Sequence, residues 1–257
     1  MPVAAPIGTM LLTAAGLQLR EQHEKQLLMT LFAKHLDPEM AEMIWQHRGE
    51  IAQAGEIYPQ ELVATVLFMD IRGFTSIAEK LEPRELLNWL NRYLDLMTGC
   101  IMEHKGVVDK YIGDGIMAVF GVPFPSTTIE RIQQDAINAI AASLSMHQHL
   151  QGLNQCFQAE GKPLITIGIG IHTGSVVAGS VGGSQRMNYS VLGDTVNIAA
   201  RLEAMNKNVL TDNPYNLLVT NETLSYLQDR YRTQLVGDIQ LRGRKQRITV
   251  FSILGTY

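Results

Sequence analysis

The chain has 257 residues, 46% of them hydrophobic and 18% charged, with a formal net charge of −4. That length buries a substantial core, the composition excludes intrinsic disorder, and the charge leaves no basic footprint for nucleic acid. Only Cys100 and Cys156 are present, which excludes a disulfide framework and makes a reduced, cytoplasmic setting the simpler expectation.

Residues 1–19 are almost uncharged and precede the polar run "REQHEK". They lack the basic start and cleavage site of a secretory signal and fall short of the roughly 20 residues that span a bilayer. Two readings stay open. The segment is a core helix or loose tail, or it is the end of a membrane span that anchors a longer protein. Residues 20–60 read as a helical linker or transducer, with two short amphipathic helices between Leu27 and Trp45 broken at Asp37-Pro38. The Gly- and Pro-containing stretch 47–60 closes this extension, and the main domain occupies 61–257.

The main domain begins with a strand over 62–69, "LVATVLFM", rich in the β-branched and aromatic types that suit a buried strand. A helix is predicted over 83–103, with Trp89, Leu90, Tyr93, Leu94 and Met97 on one side. A hairpin follows around Gly113-Asp114-Gly115. A helix over 130–150, a strand over 163–174, a strand over 188–192 and a helix over 194–205 come next. The remainder reads as strand 217–219, helix 223–229 and strands 234–241 and 247–254. This order predicts an α+β protein with a ferredoxin-like βαββαβ core, extra C-terminal strands and helix, and the N-terminal helical extension.

Two carboxylates carry chemistry. Asp70 ends the first strand and Asp114 sits in the hairpin turn, and in such a sheet these two ends lie side by side. Carboxylates that close repel, and hard divalent cations such as Mg²⁺ or Mn²⁺ resolve the repulsion. Each residue alone has an ordinary alternative, a turn cap for Asp70 and a hairpin conformation for Asp114. The turn "IRGFTS" after Asp70 offers Gly73 and consecutive N–H groups ahead of a helix, a segment able to hold phosphate oxygens. Asn197 and Arg201, four residues apart at the start of a helix, share one face. A guanidinium there suits charge on a transferring phosphoryl group, and a solvated face is the plainer alternative.

Four stretches, "FMDIRGFTSIAE", "KGVVDKYIGDGIMAVFG", "IGIGIHTGSVVAG" and "YSVLGDTVNIAARLE", resemble successive motifs of class III nucleotide cyclase catalytic domains. The resemblance runs in order from about residue 63 to 253. It implies an adenylate cyclase that forms cyclic AMP and pyrophosphate from ATP, with two divalent ions, Mg²⁺ or Mn²⁺, per site. Asp70, Asp114 and the carbonyl of Ile71 would hold the metals. Asn197 would position the ribose, and Arg201 would stabilise charge at the α-phosphate. Gly73, Phe74 and Thr75 would contact the phosphates, and Arg242 in "QLRGR" would hold the terminal ones. Lys110 and Ser190 fall on the purine-selecting positions.

An ammonium at 110 suits the acceptor N1 of adenine. The Ser190 hydroxyl either accepts from adenine's amino group or donates to guanine O6. The family also implies a homodimer with two shared active sites, one chain supplying the aspartates and the other the base, ribose and α-phosphate contacts. Such domains often follow a membrane-bound or upstream sensor. The alternatives are a guanylate cyclase and a non-catalytic domain that binds nucleotide or dimerises.

Overall fold

The computed structural model describes residues 59–122, 128–183, 186–207, 214–240 and 247–257. The apolar segment 1–19, nearly all of the 20–60 linker, residues 208–213 and Arg242 lie outside the described residues. Strand β1 (Gln60–Ile71) leads into a one-turn helix α1 (Phe74–Ala78) and the long helix α2 (Pro83–Glu103). The hairpin β2 (Val107–Ile112) and β3 (Gly115–Phe120) precedes helix α3 (Ile129–Ala159). Then come β4 (Ile167–Gly183), β5 (Arg186–Leu192), α4 (Asp194–Met205), β6 (Leu217–Thr220), α5 (Asn221–Leu224), β7 (Tyr231–Gln240) and β8 (Arg247–Thr256).

The sheet runs β2-β3-β1-β4-β6-β8-β7, with β5 paired to β4 off this path. Its first four strands are the antiparallel βαββαβ core that the chain order predicts. Strand β6 joins parallel to β4 and carries the C-terminal pair β8 and β7.

Strand β1 is central, and its alternation serves two cores. Leu67, Met69 and Ile71 face one side, with Trp89, Tyr93 and Met97 of α2 and Ile140 and Met146 of α3. Leu62, Ala64 and Val66 face the other, in a cluster that includes Ala199 of α4. Burial of a large side chain contributes roughly 1.5–3 kcal/mol, so the fully buried Trp89, Tyr93 and Phe157 anchor the first layer. Trp89 stacks on Phe157 with ring centroids 5.8 Å apart, and its indole N–H donates to the Pro163 carbonyl at 2.9 Å.

Several elements depart from the sequence reading: β4 starts at Ile167 and not at 163, and β7 starts at Tyr231 and not at 234. Helix α3 continues past Leu150 to Ala159, because Leu150 and Phe157 keep burying against the same core. Strand β4 continues past Gly174 to Gly183, because its second half pairs with β5. The helix expected over 223–229 shrinks to Asn221–Leu224; Gln228 and Asp229 take positive φ (52° and 53°), which a right-handed helix does not admit. No helix among the described residues is long and apolar enough to cross a membrane.

The alternating glycines of "GIGIHTG" fix where α4 lies. Ile167, Ile169 and Ile171 point into the first core, and Gly168 and Gly170 open the opposite face. A Cβ at Gly170 would stand 2.3 Å from the Glu203 amide nitrogen and 2.7 Å from the Ala199 carbonyl. Helix α4 therefore rests directly on the backbone of β4. Thr195 pins its first turn by donating to the Ser175 carbonyl at 2.7 Å.

Candidate active site

The end of β1 gathers the two aspartates. Asp114, in the turn between β2 and β3, accepts a hydrogen bond from the Ile71 amide at 3.2 Å through Oδ2. The hairpin approaches closely because residue 115 is glycine; a Cβ there would lie 2.9 Å from the Met69 carbonyl and 3.4 Å from Asp70 Oδ1. Burial, then a hydrogen bond and charge from Asp70, push the Asp114 carboxyl up to about 6. Two carboxyl groups thus compete for ionisation at one strand end.

A cation already answers that charge. Lys207, just past α4, places Nζ 3.1 Å from Asp70 Oδ2. Two carboxylates beside a backbone carbonyl at position 71 form an all-oxygen donor set, the set that hard divalent ions take. The residues present therefore fit Mg²⁺ or Mn²⁺, with Lys207 standing where positive charge is needed. Among the described residues no cluster of three or more His, Cys, Asp or Glu side chains is gathered as a metal site, so any metal here rests on the aspartate pair and the backbone.

The turn after Asp70 is held from behind. Arg72 donates through Nη1 to Glu203 Oε1 at 2.8 Å and through Nη2 to the Glu203 carbonyl at 3.3 Å. Its guanidinium occupies the space beside Gly168 that any side chain there would fill. Burial raises the Glu203 carboxyl, and the Arg72 charge opposes that rise. Gly73 follows in the left-handed conformation, φ 71°, and starts α1. Thr75 is exposed, while Phe74 packs partly against the core. The residues expected to face phosphate, 73–75, thus follow Asp70 by three to five positions, on a turn clamped by Arg72.

Lys110 and Ser190 form a second cluster. Lys110 Nζ donates to Ser190 Oγ at 3.2 Å and pairs with Asp109 Oδ2 at 3.1 Å. Ser190 Oγ donates to the same Asp109 oxygen at 3.0 Å. Regular alternation would send Asp109 and Lys110 to opposite faces. The β2–β3 register skips between Val108 and Lys110, and this bulge turns both toward β5. Asp114 belongs to the other cluster, so the four-residue spacing from Lys110 does not make an ion pair.

Asn197 and Arg201 lie on α4, and neither makes a hydrogen bond or ion pair with Asp70 or Asp114. Asn197 is exposed and its amide reaches back to the Gly193 carbonyl at 3.4 Å. Arg201 has no ion-pair partner among the described residues. At 3.6 residues per turn, their shared stripe is turned about 140° from Glu203, the residue that meets the turn after Asp70. One chain therefore presents the aspartates on one side and the Asn–Arg stripe on another. Asp109, Arg72, Glu203 and Lys207 escaped sequence reasoning. A bulge has no sequence mark, and the other three join through contacts between distant parts of the chain.

Residues 57–255 match the family model described as the adenylate and guanylate cyclase catalytic domain. An adenylate cyclase of Anabaena cylindrica is 35% identical over 196 residues, covering 74% of this chain and 36% of that relative. The chain spans well under half the length of the first curated relatives it matches. The crystal structure of the adenylyl cyclase CyaB from P. aeruginosa is 32% identical, with a TM-score of 0.70, covering 78% of this chain and 97% of that one. That of the guanylyl cyclase Cya2 is 31% identical, with a TM-score of 0.67, covering 77% of this chain and 94% of that one.

Proposed function

This chain belongs to the adenylate and guanylate cyclase catalytic-domain family, and on that premise we propose that it converts ATP to 3′,5′-cyclic AMP and pyrophosphate at a site shared between two copies. Relatives named for either purine are nearly equally similar, so the choice of base rests on this chain's own residues. The observation that carries it is the Lys110–Ser190 pair at 3.2 Å. An ammonium donates to adenine N1 and has nothing to offer the N1–H of guanine.

In the reaction the ribose 3′-oxygen bonds to the α-phosphorus, the bond from the α-phosphorus to the α–β bridging oxygen breaks so that pyrophosphate leaves, and the 3′-hydroxyl proton passes to water. Asp70, Asp114 and the Ile71 carbonyl would hold two divalent ions, Mg²⁺ or Mn²⁺, which supply acidity to the hydroxyl and neutralise the triphosphate. The turn at Gly73, Phe74 and Thr75 would present amide groups to phosphate oxygens, as would Arg242 its guanidinium. Asn197 orients the ribose, and Arg201, free of any ion pair among the described residues, meets charge at the α-phosphate. No side-chain nucleophile is needed, since positioning and charge account for the chemistry. The separation of the Asn–Arg stripe from the aspartates within one chain supports a homodimer in which each site takes one half from each copy.

Purified protein given Mg²⁺ or Mn²⁺ and each triphosphate in turn tests this reading. Cyclic AMP is expected as the main product, and preferential cyclisation of GTP would overturn the assignment. Product from neither triphosphate would favour the second reading, a domain that only dimerises or binds nucleotide.

A further inference from the structure

The hydrogen bonds around Lys110 have a direction, and Asp109 sets it. Its side chain is 5% exposed, while that of Lys110, lying over it, is 48% exposed. Ser190 is 3% exposed. An ionised carboxylate only accepts, so both neighbours must donate to Asp109 Oδ2. Ser190 Oγ spends its one proton there, at 3.0 Å. Lys110 spends one N–H on Asp109 at 3.1 Å and a second on Ser190 Oγ at 3.2 Å.

What remains can be counted. The ammonium has three N–H groups, two of them committed, and so one donor is left. The hydroxyl oxygen has two lone pairs, one taken by Lys110, and so one acceptor is left. With Lys110 facing N1, as the reading above has it, a donor there beside an acceptor at position 6 is the complement of adenine, whose N1 accepts and whose 6-amino group donates. Guanine presents the reverse, an N1–H and an accepting O6. A serine free to rotate could serve either base; this one is not free.

We infer that Asp109 is the positioning residue for base selection: by holding the Ser190 proton and the Lys110 ammonium, it fixes the pair as an adenine reader. This rests on the adenylate cyclase reading above and adds to it a residue that need not touch the nucleotide. The bulge at Asp109 is part of the device, because without it the carboxylate would face away from Ser190.

The test is the ratio of kcat/KM for ATP to that for GTP, measured on the full chain as wild type and as Asp109→Ala. Loss of the carboxylate frees the hydroxyl to donate, so the ratio falls by about tenfold or more, and the loss falls mainly on ATP. An equal fall for both nucleotides, as a merely structural role predicts, would overturn the inference and leave the adenylate cyclase reading standing. A wild type that prefers GTP, or that cyclises neither, removes that reading and this inference together.

A second measurement needs no variant and covers an Asp109→Ala chain that fails to fold. Purine riboside triphosphate keeps N1 and lacks the 6-amino group. Wild type is expected to use it about tenfold less efficiently than ATP, because the lone pair on Ser190 then goes unmatched. Equal use of the two would mean that Ser190 accepts nothing from the base, which overturns the inference.

Discussion

At the scale of single residues, the sharpest conflict is Asp114 against Asp70. Burial and that neighbour lift the Asp114 carboxyl from 3.8 to about 6. Above about pH 6 the fold must hold an ionised Asp114; below about pH 4 the group is protonated whether the chain is folded or not. Its contribution to stability is therefore full at low pH and lost as pH rises from about 4 through about 6. Asp114→Asn relieves the repulsion, and partial exposure of the site keeps the gain small. In metal-free protein at neutral pH the variant should melt roughly 2–4 °C higher, with no gain near pH 4. If Asp114 holds metal as proposed, the cyclase activity of the variant should drop about a hundredfold or more. Melts across pH with a chelator, beside activity assays, check both halves. Equal or lower stability of the variant at neutral pH would contradict the described repulsion.

At the scale of elements, the placement of α4 on β4 decides where Asn197 and Arg201 point. Gly170→Ala puts a methyl group 2.3 Å from the Glu203 amide nitrogen, against backbone that cannot step aside cheaply. The variant should lose about 1–3 kcal/mol of stability by denaturant titration. Its kcat should fall as well, because the displaced helix carries both residues. An unchanged titration midpoint would mean that α4 does not rest on the strand as described.

Much of this level was legible beforehand. The apolar stripe of 83–103 gave α2, the bounds expected for α4 hold, β-branched and aromatic content gave β1, and alternation gave the first half of β4. The strand end and the hairpin were expected to bring Asp70 and Asp114 together, and the Ile71–Asp114 contact is what that expectation requires. The rest was not local. The second half of β4 exists through its partner β5, and the end of α3 through a distant core. The bulge at Asp109 breaks the alternation on which strand reading depends.

At the scale of the whole molecule, the candidate functional groups are divided among three places. The aspartates, backed by Arg72 and Lys207, sit at one sheet end. The Asn–Arg stripe of α4 is turned away from them, and the Lys110–Ser190 pair sits where β2 meets β5. Two copies related by a two-fold axis would complete two sites. Mixing Asp70→Ala protein with Arg201→Ala protein tests this most directly, since each alone should be inactive. In a shared-site homodimer, half the molecules in an equal mixture are hybrids, and each hybrid places both lesions in one site and leaves the other whole. The mixture should therefore recover about a quarter of wild-type activity. A mixture as inactive as its parents, with hybrid dimers shown to form, would contradict the shared site.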